Sequence, residues 1–490
     1  MDLGRAALRA LPTGLDGPSF DPGGVTAGIV HLGPGNFHRA HMARYAHDLM
    51  ERRADTLSWG ILGAGLMPRD GSIVEALAPQ DGLYTLLERG EGEAKATVIG
   101  SLAGLIFAGE SSVALLDAMD SPAIRIVSLT VTENGYGVDR ATKRLDPGNP
   151  LIQADLAATR APRSAIGVVT EALRRRRDAK RGAFTVMSCD NLQHNGQVLR
   201  DAVLEFAALR DPELARWIEA EATFPATMVD RITPGTTDAD RDEVQARFGL
   251  RDRWPVPCEG FRQWVIEDRF AAGRPAWEEV GVQLVPDVGP YELMKLRLLN
   301  ASHHAVAGLG RLLGHEYVSD CMADPDLAGL MRAVMDQETG PTVPPVPGVD
   351  IEDYKRTLIA RFANPAIRDT PGRIVADGSP NIMLDPLRDR LRAGQPVELL
   401  TLAVAAWMRC ASGVDEKGEP IALRHSLAPL IRERARQGGP DPGPLLTVDA
   451  VFGDLGRQPA FVGPVGRWLR SLHEVGARGT LALARARWQR

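Results

Sequence analysis

The sequence predicts an α/β chain in two parts, a parallel-sheet N-terminal domain over 1–288 and a mainly α-helical domain over 289–490. From residue 28 to about 287, short apolar runs alternate with helical periodicity, the pattern of strands joined by crossover helices. Past Gly289 the apolar spacing turns almost wholly helical. At 490 residues and 44% hydrophobic, the chain is also longer than one core usually serves.

The first element is the apolar strand Gly28-Ile-Val-His-Leu, followed by the turn Gly33-Pro-Gly35 and a helix through about Met50. Strand, glycine turn and helix in that order form a dinucleotide fingerprint, so the sheet reads as Rossmann-type. Gly33 and Gly35 supply the tight turn and the close backbone approach to a pyrophosphate, while His38 holds the third glycine position. A second apolar strand over 59–65 completes the βαβ unit. Beyond it, Arg69 and Asp70 stand where an adenosine ribose is contacted. The carboxylate suits the 2′-hydroxyl of NAD and the guanidinium suits the 2′-phosphate of NADP, so both cofactors stay open. Next come a strand at 124–131, a helix at 164–177, a strand at 183–188 and a helix at 195–209. Residues 236–280 read as an insertion with short elements of its own.

The second part reads as helices at 291–313, 326–338, 350–362, 396–411 and 465–472, with a proline-rich surface crossing at 341–347. Gly289-Pro290 starts the first of these, with Pro at the first helical position and Glu292 in the first turn. This helix carries Lys295, Asn300 and His303 among apolar neighbours, where polar groups are costly without a task or a partner. On a regular helix the three fall within an arc of about 140°, with Lys295 and His303 roughly 12 Å apart along the axis and His304 pointing elsewhere. Such a trio suits proton removal from an alcohol. A desolvated lysine serves as base near neutral pH, an amide donates to the developing alkoxide, and an imidazole orients the hydroxyl. A snorkelling lysine with a hydrogen-bonded core histidine is the alternative on the spacing alone. Tyr291-x3-Lys295 also matches the Tyr–Lys spacing of short-chain dehydrogenases, but those chains are much shorter and open with a different glycine pattern.

Together these residues resemble the polyol-specific long-chain dehydrogenases, the mannitol dehydrogenase family, whose helix carries Lys-x4-Asn-x2-His. The turn through Asn36, Phe37, Arg39 and His41 is similar to that family's fingerprint. Matching blocks include Gln80-Asp-Gly-Leu-Tyr-Thr85, Thr130-Val-Thr-Glu133-Asn-Gly-Tyr136, Ser188-Cys-Asp190-Asn191, Met228-Val-Asp230-Arg231-Ile-Thr-Pro234, Trp264 to Asp268 and Trp407 to Asp415. With the cofactor turn near the start of the sheet part and Lys295 near the start of the helical part, the site is expected in the cleft between domains, and the resemblance implies Gly33, Gly35, Asn36, Phe37, Arg39, Arg69 and Asp70 at the cofactor. It implies that Lys295 is the base, that Asn191 and Asn300 form an oxyanion pocket, that Glu133 relays the proton, and that Asp230, Arg373, Asn300 and His303 hold substrate. Two departures stand out. Asn381 replaces a lysine that the family often carries, and His425-Ser426 stands where an acidic residue and proline are expected.

Composition agrees with a small-molecule enzyme. A net charge of −6 with 5% aromatic residues argues against a nucleic-acid partner, and Arg174 to Arg177 reads as a solvated helix end. The apolar stretch 399–408 is too short for a bilayer, and no charged-then-apolar segment opens the chain, so a cytoplasmic enzyme is expected. Cys189, Cys258, Cys321 and Cys410 are too scattered for a disulfide framework or a zinc site. The expectation is therefore an NAD(P)-dependent, metal-independent polyol dehydrogenase, monomeric by family precedent. Fructuronate reduction to mannonate is the rival, and a dinucleotide-binding sensor without turnover is the reading from another class.

Overall fold

The computed structural model describes residues 1–90, 92–139, 142–157, 161–377 and 380–488. The chain divides into two compact units, Met1–Val288 and Gly289–Arg490.

The first unit is built on a five-stranded, all-parallel sheet. From one edge to the other the strands are Leu102–Phe107, Gly60–Gly65, Ala27–Leu32, Ile126–Leu129 and Thr185–Ser188. The first of these in the chain, Ala27–Leu32, is therefore central, and the order reverses between it and Ile126–Leu129. In an open α/β sheet ligands bind beyond the strands' C-terminal ends at such a reversal. The central strands are buried almost end to end, which is why they read as continuous apolar runs rather than alternating ones. One core face gathers Val30, Leu32, Val127 and Leu129 with Ile166, Leu173, Leu199 and Phe206 of the crossover helices Ala165–Asp178 and Asn195–Arg210. The other gathers Ile29, Ile61 and Ile126 with Tyr45, Trp264 and Trp277. Ser164 caps the first crossover helix, its hydroxyl accepting from Gly167 N–H at 2.9 Å.

Two further sheets lie outside the expected pattern. One is mixed, in the order Leu15–Asp16, Lys95–Ile99, Tyr84–Arg89, Val256–Glu259. The other joins Gln283–Val285, Gln263–Glu267 and Thr227–Asp230. The segment read as an insertion thus supplies Val256–Glu259 at the edge of one sheet and Gln263–Glu267 in the middle of the other. Strands of two to six residues whose partners are far off carry little local signal.

The second unit is helical, as expected. Helix Glu398–Ala411 is buried on nearly every face, which only a helix at the centre of a bundle tolerates. It packs on Ala301–Leu313 and on Pro459–Glu474. A Cβ on Gly308 would lie 3.2 Å from that of Ala406, so the glycine sets the close approach of two of these helices. The expected helix over 291–313 is not a regular α-helix. It runs as α-helix Gly289–Met294, π-helix Lys295–Asn300 and α-helix Ala301–Leu313. A second π-turn, Val334–Thr339, follows helix Pro325–Ala333 and packs against the first. Among the described residues no helix is long and apolar enough to cross a membrane.

Candidate functional site

In the first unit, the glycine turn follows strand Ala27–Leu32. Gly33 has φ +91°, and a Cβ there would lie 2.3 Å from the Thr130 carbonyl oxygen, so glycine is required on two counts. Gly35 is ordinary in conformation, with φ −69°, and a Cβ on it would meet nothing within 4 Å. The space over Gly35 suits a phosphate group brought against bare backbone, so the residues present fit a dinucleotide. The helix that follows is interrupted: Asn36–Ala40 and Met42–Arg52 are separate pieces, with His41 at φ −113°, ψ −88° between them.

Three residues expected at the cofactor behave differently from one another. The Asn36 carboxamide is committed within the unit: Nδ2 donates to Pro234 O and Thr236 Oγ1, and Oδ1 accepts from Arg39 and Trp254. Arg39, expected to face the cofactor, is fully buried, donating to Trp254 O at 2.8 Å and lying over the Tyr84 ring. A guanidinium enclosed this way braces the turn. Phe37 is half-buried and stacks on His41 at 5.0 Å.

At the end of Gly60–Gly65, Asp70 Oδ2 accepts from the backbone N–H groups of Leu66 and Met67 at 3.0 and 2.9 Å. This fixes the carboxylate in place, whereas the neighbouring Arg69 side chain is 73% exposed. A cavity of about 590 Å³ opens beside this turn, lined by Pro68, Ser72, Glu75, Phe107, Glu110 and Arg163.

The next two strand ends are tied together by Asp190, a residue with no role expected from the sequence. Its carboxylate accepts from Val131 N–H, Thr132 N–H and Tyr136 O–H at 3.1, 2.8 and 2.8 Å. Burial pushes its pKa up, and those donors pull against the rise. The clamp holds Thr132 at φ +65°, a left-handed conformation that a β-branched residue adopts only under constraint. Glu133 follows directly and pairs with Lys143. Asn191 is exposed just past Thr185–Ser188, on a turn that Asn195 secures by donating to Asp190 O at 3.1 Å. Asp230 ends a strand and is buried. Its neighbour Arg231 pairs with Glu88 and donates to the carbonyls of Ala40 and Glu259.

In the second unit, Lys295 and Asn300 open and close the π-turn and are 7% and 8% exposed. Ala301 N–H donates to Leu296 O, an i→i+5 bond. In that register, residues five apart fall one above the other, so Lys295 and Asn300 align more closely than a regular helix allows. The Ser302 hydroxyl donates to the Leu298 carbonyl, satisfying backbone beside the widened turn. Arg297 anchors the outer side, donating to Thr342 O and pairing with Asp389. His303 stacks on Phe362 at 4.4 Å with its Nε2 3.9 Å from Asp369 Oδ2. Burial pushes its pKa down to about 3 against the pull of Asp369, so the ring is neutral near pH 7. Among the described residues that Nε2 has no hydrogen-bond partner. His304 is likewise lowered, to about 4, by burial and by Arg373.

Arg373 does not present an open fork. Its Nε and Nη2 both donate to Asp369, at 2.6 Å each, and Asp377 stands 4.0 Å from Nη1. Asp369 is the second residue the sequence reading missed, although a carboxylate four positions before an arginine was a visible signal. Asp377 is paired in turn with Arg424 at 2.8 Å. Asn381 is exposed at the start of helix Asn381–Arg392, while Gly378 and Ser379 before it lie outside the described residues. His425 Nδ1 accepts from Leu427 N–H at 3.0 Å, a local turn contact. The four cysteines are buried as free thiols.

Comparison with known proteins covers both units. A family model for the mannitol dehydrogenase Rossmann domain matches residues 27–279, and one for the mannitol dehydrogenase C-terminal domain matches 287–473. The chain is 44% identical over 467 residues to a mannitol 2-dehydrogenase of Cereibacter sphaeroides, covering 95% of this chain and 97% of that one. It is also 44% identical over 476 residues to a D-mannonate oxidoreductase of Escherichia coli, with 95% and 97% covered. Among solved structures, Pseudomonas fluorescens mannitol 2-dehydrogenase in ternary complex with NAD and D-mannitol superposes with a TM-score of 0.92 at 42% identity, covering 99% of this chain and 100% of that one.

Proposed function

Because the chain belongs to the mannitol dehydrogenase family, we propose that it is an NAD-dependent oxidoreductase interconverting a polyol and its 2-ketose, such as mannitol and fructose or arabinitol and xylulose. The observation that carries this reading is the pair Lys295 and Asn300, nearly buried and one π-turn apart.

Oxidising a secondary alcohol removes a hydride from carbon and a proton from oxygen. When bound, the nicotinamide supplies the hydride acceptor. The side chains deal with the proton and the oxygen. The unprotonated Lys295 amine takes the hydroxyl proton, and the Asn300 carboxamide donates to the oxygen as negative charge develops there. His303, neutral because burial lowers its pKa to about 3, hydrogen-bonds a substrate hydroxyl through Nε2 without competing for the proton. On the first unit, Asn191 is assigned as a second carboxamide donor and Glu133 as the group that passes the proton to water. Asp230 and Arg373 are assigned to the remaining hydroxyls. An amine base and amide donors complete the charge balance without a metal ion.

Asp70, held by two backbone N–H groups, favours NAD over NADP, because a fixed carboxylate accepts from a ribose hydroxyl and repels a 2′-phosphate. The relative that is a D-mannonate oxidoreductase supports a second reading, a sugar acid as substrate. The bidentate Asp369–Arg373 pair weighs against it, since the one arginine assigned to substrate already faces a carboxylate. A panel of alditols and aldonates, each with NAD and NADP and followed at the nicotinamide absorbance band, tests both. Fastest turnover of an alditol with NAD is expected. Preference for an aldonate would move the assignment to the sugar-acid reading, and absence of any turnover to the sensor.

A further inference from the structure

His31, in the central strand beside the glycine turn, has a role that nothing in the reaction chemistry requires. It is fully buried, and both ring nitrogens are used: Nδ1 lies 2.8 Å from Ser128 Oγ and Nε2 lies 2.8 Å from Thr130 Oγ1. Ser128 sits directly across the sheet from His31 in the adjoining strand. The Thr130 hydroxyl also lies 2.8 Å from the carbonyl oxygen of Gly33, which can only accept.

These distances fix the direction of every proton. A hydroxyl has one hydrogen, and that of Thr130 goes to Gly33 O. Thr130 Oγ1 must then accept from His31, so the imidazole carries its proton on Nε2. Nδ1 is left as an acceptor and takes the Ser128 hydroxyl hydrogen. The competing acceptors for that hydrogen, Val30 O at 3.5 Å and Met42 Sδ at 3.4 Å, are much poorer. The opposite tautomer would turn Ser128 to the 3.5 Å contact and strip Gly33 O of its hydroxyl donor. The chain therefore runs one way, from Ser128 through His31 and Thr130 to Gly33.

Its end point matters because Gly33 O accepts twice, from Thr130 Oγ1 and from Gly35 N–H at 2.8 Å. Both lone-pair directions are filled, so the Gly33–Pro34 peptide plane cannot rotate without breaking a bond. The His38 ring, which replaces the third fingerprint glycine, lies flat on His31 at 3.5 Å and 14°, holding the imidazole in the plane the chain needs. We propose that Ser128, His31 and Thr130 form a one-way hydrogen-bond chain that locks the Gly33 carbonyl and so presets the turn for the dinucleotide, with His38 stacking in place of the missing glycine. These are positioning residues. The inference rests on the dinucleotide reading of the turn. Burial lowers the His31 pKa to about 3, against an opposing pull from the Gly33 carbonyl, so the chain stays neutral and intact at any ordinary working pH.

Thr130→Val removes the hydroxyl while preserving shape, and Thr130→Ser restores it. NAD affinity of the apo protein is read from quenching of tryptophan fluorescence, together with the melting temperature and kcat at saturating NAD. The chain requires that Thr130→Val weaken NAD binding by about tenfold. Melting temperature should fall by no more than a few degrees, the cost of one orphaned His31 N–H, saturated kcat should stay near the parent's, and Thr130→Ser should recover the affinity. Parental affinity in Thr130→Val, or a fall in melting temperature and saturated kcat with no selective loss of affinity, overturns the proposal. Should Thr130→Val not fold, Ser128→Ala decides: reduced NAD affinity supports the chain and unchanged affinity overturns it. A parent protein that binds no NAD overturns the functional reading and the chain together, whereas a parent that binds NAD but oxidises no polyol leaves the chain to be judged on affinity alone.

Discussion

Gly33 and Gly35 stand two residues apart in one turn and respond differently to a methyl group. At Gly33 the new Cβ would strike the Thr130 carbonyl at 2.3 Å in a backbone with φ +91°, so Gly33→Ala should lower the melting temperature and abolish NAD binding. At Gly35 the Cβ points into open space with an ordinary φ of −69°. Gly35→Ala should therefore melt with the parent and still lose NAD affinity by about tenfold or more, because the methyl occupies the dinucleotide's place. Parental affinity in Gly35→Ala, read by fluorescence titration, would show that the turn does not carry the pyrophosphate. The other residue with a decisive environment is Asp369. Removing its charge in Asp369→Asn frees the Arg373 fork, so kcat/KM for aldonates should rise relative to alditols. An unchanged ratio would remove Asp369 from the account of specificity. Both carboxylates that the sequence left without a role, Asp190 and Asp369, act through a neighbour, and motif reading notices the neighbour first.

The segment that carries the proposed base is a π-turn rather than a regular helix, and this was invisible in the sequence because apolar spacing over six residues cannot separate i→i+4 from i→i+5 bonding. Inserting an alanine after Leu296 should keep the far-ultraviolet dichroism and cost turnover by about a hundredfold or more, because Lys295 and Asn300 then lie six apart and share a face in neither register. An insertion variant with parental kcat would show that their alignment is incidental. At the same scale, the segment around Asn36–Ala40 and Met42–Arg52 buries its histidines as neutral rings. Burial pushes His31 and His41 down to about 3 and His47 down to about 4, and in the second unit His303 and His304 to about 3 and about 4. The unfolded chain takes up those protons near pH 6.5, ahead of the folded one. Stability from this source is thus complete above about pH 6.5 and is lost as pH falls towards 3 to 4, at up to about 1.4 kcal/mol per pH unit for each ring. Four carboxylates work the other way, Glu338 raised by burial to about 7 and Asp190, Asp252 and Asp385 raised by the same cause, but the lowered rings outnumber them. Urea unfolding should show a steep loss of stability from pH 6.5 to 4.5, and a flat profile there would contradict the burial of these rings.

At the scale of the whole molecule, the parallel sheet and the helix-rich second part were legible because both rest on long, repeated patterns. Strands Ala27–Leu32, Gly60–Gly65, Ile126–Leu129 and Thr185–Ser188 are apolar runs bounded by turn residues. Leu102–Phe107, at the sheet edge, and the two smaller sheets were not read, since their identity depends on pairing between residues as distant as Tyr84–Arg89 and Val256–Glu259. The residues named for chemistry came from spacing and from likeness to a family. What that reading lacked was the polar support around them, the Asp190 clamp, the Asp369 pair and the His31 chain, which exists only once strands and loops are in place. The account depends above all on one amine acting as base. The most direct measurement is kcat of Lys295→Ala with mannitol and NAD across pH, alongside its NAD affinity. The account requires a loss of about 10²- to 10⁴-fold at neutral pH with NAD affinity unchanged. A variant that keeps most of its turnover would contradict it.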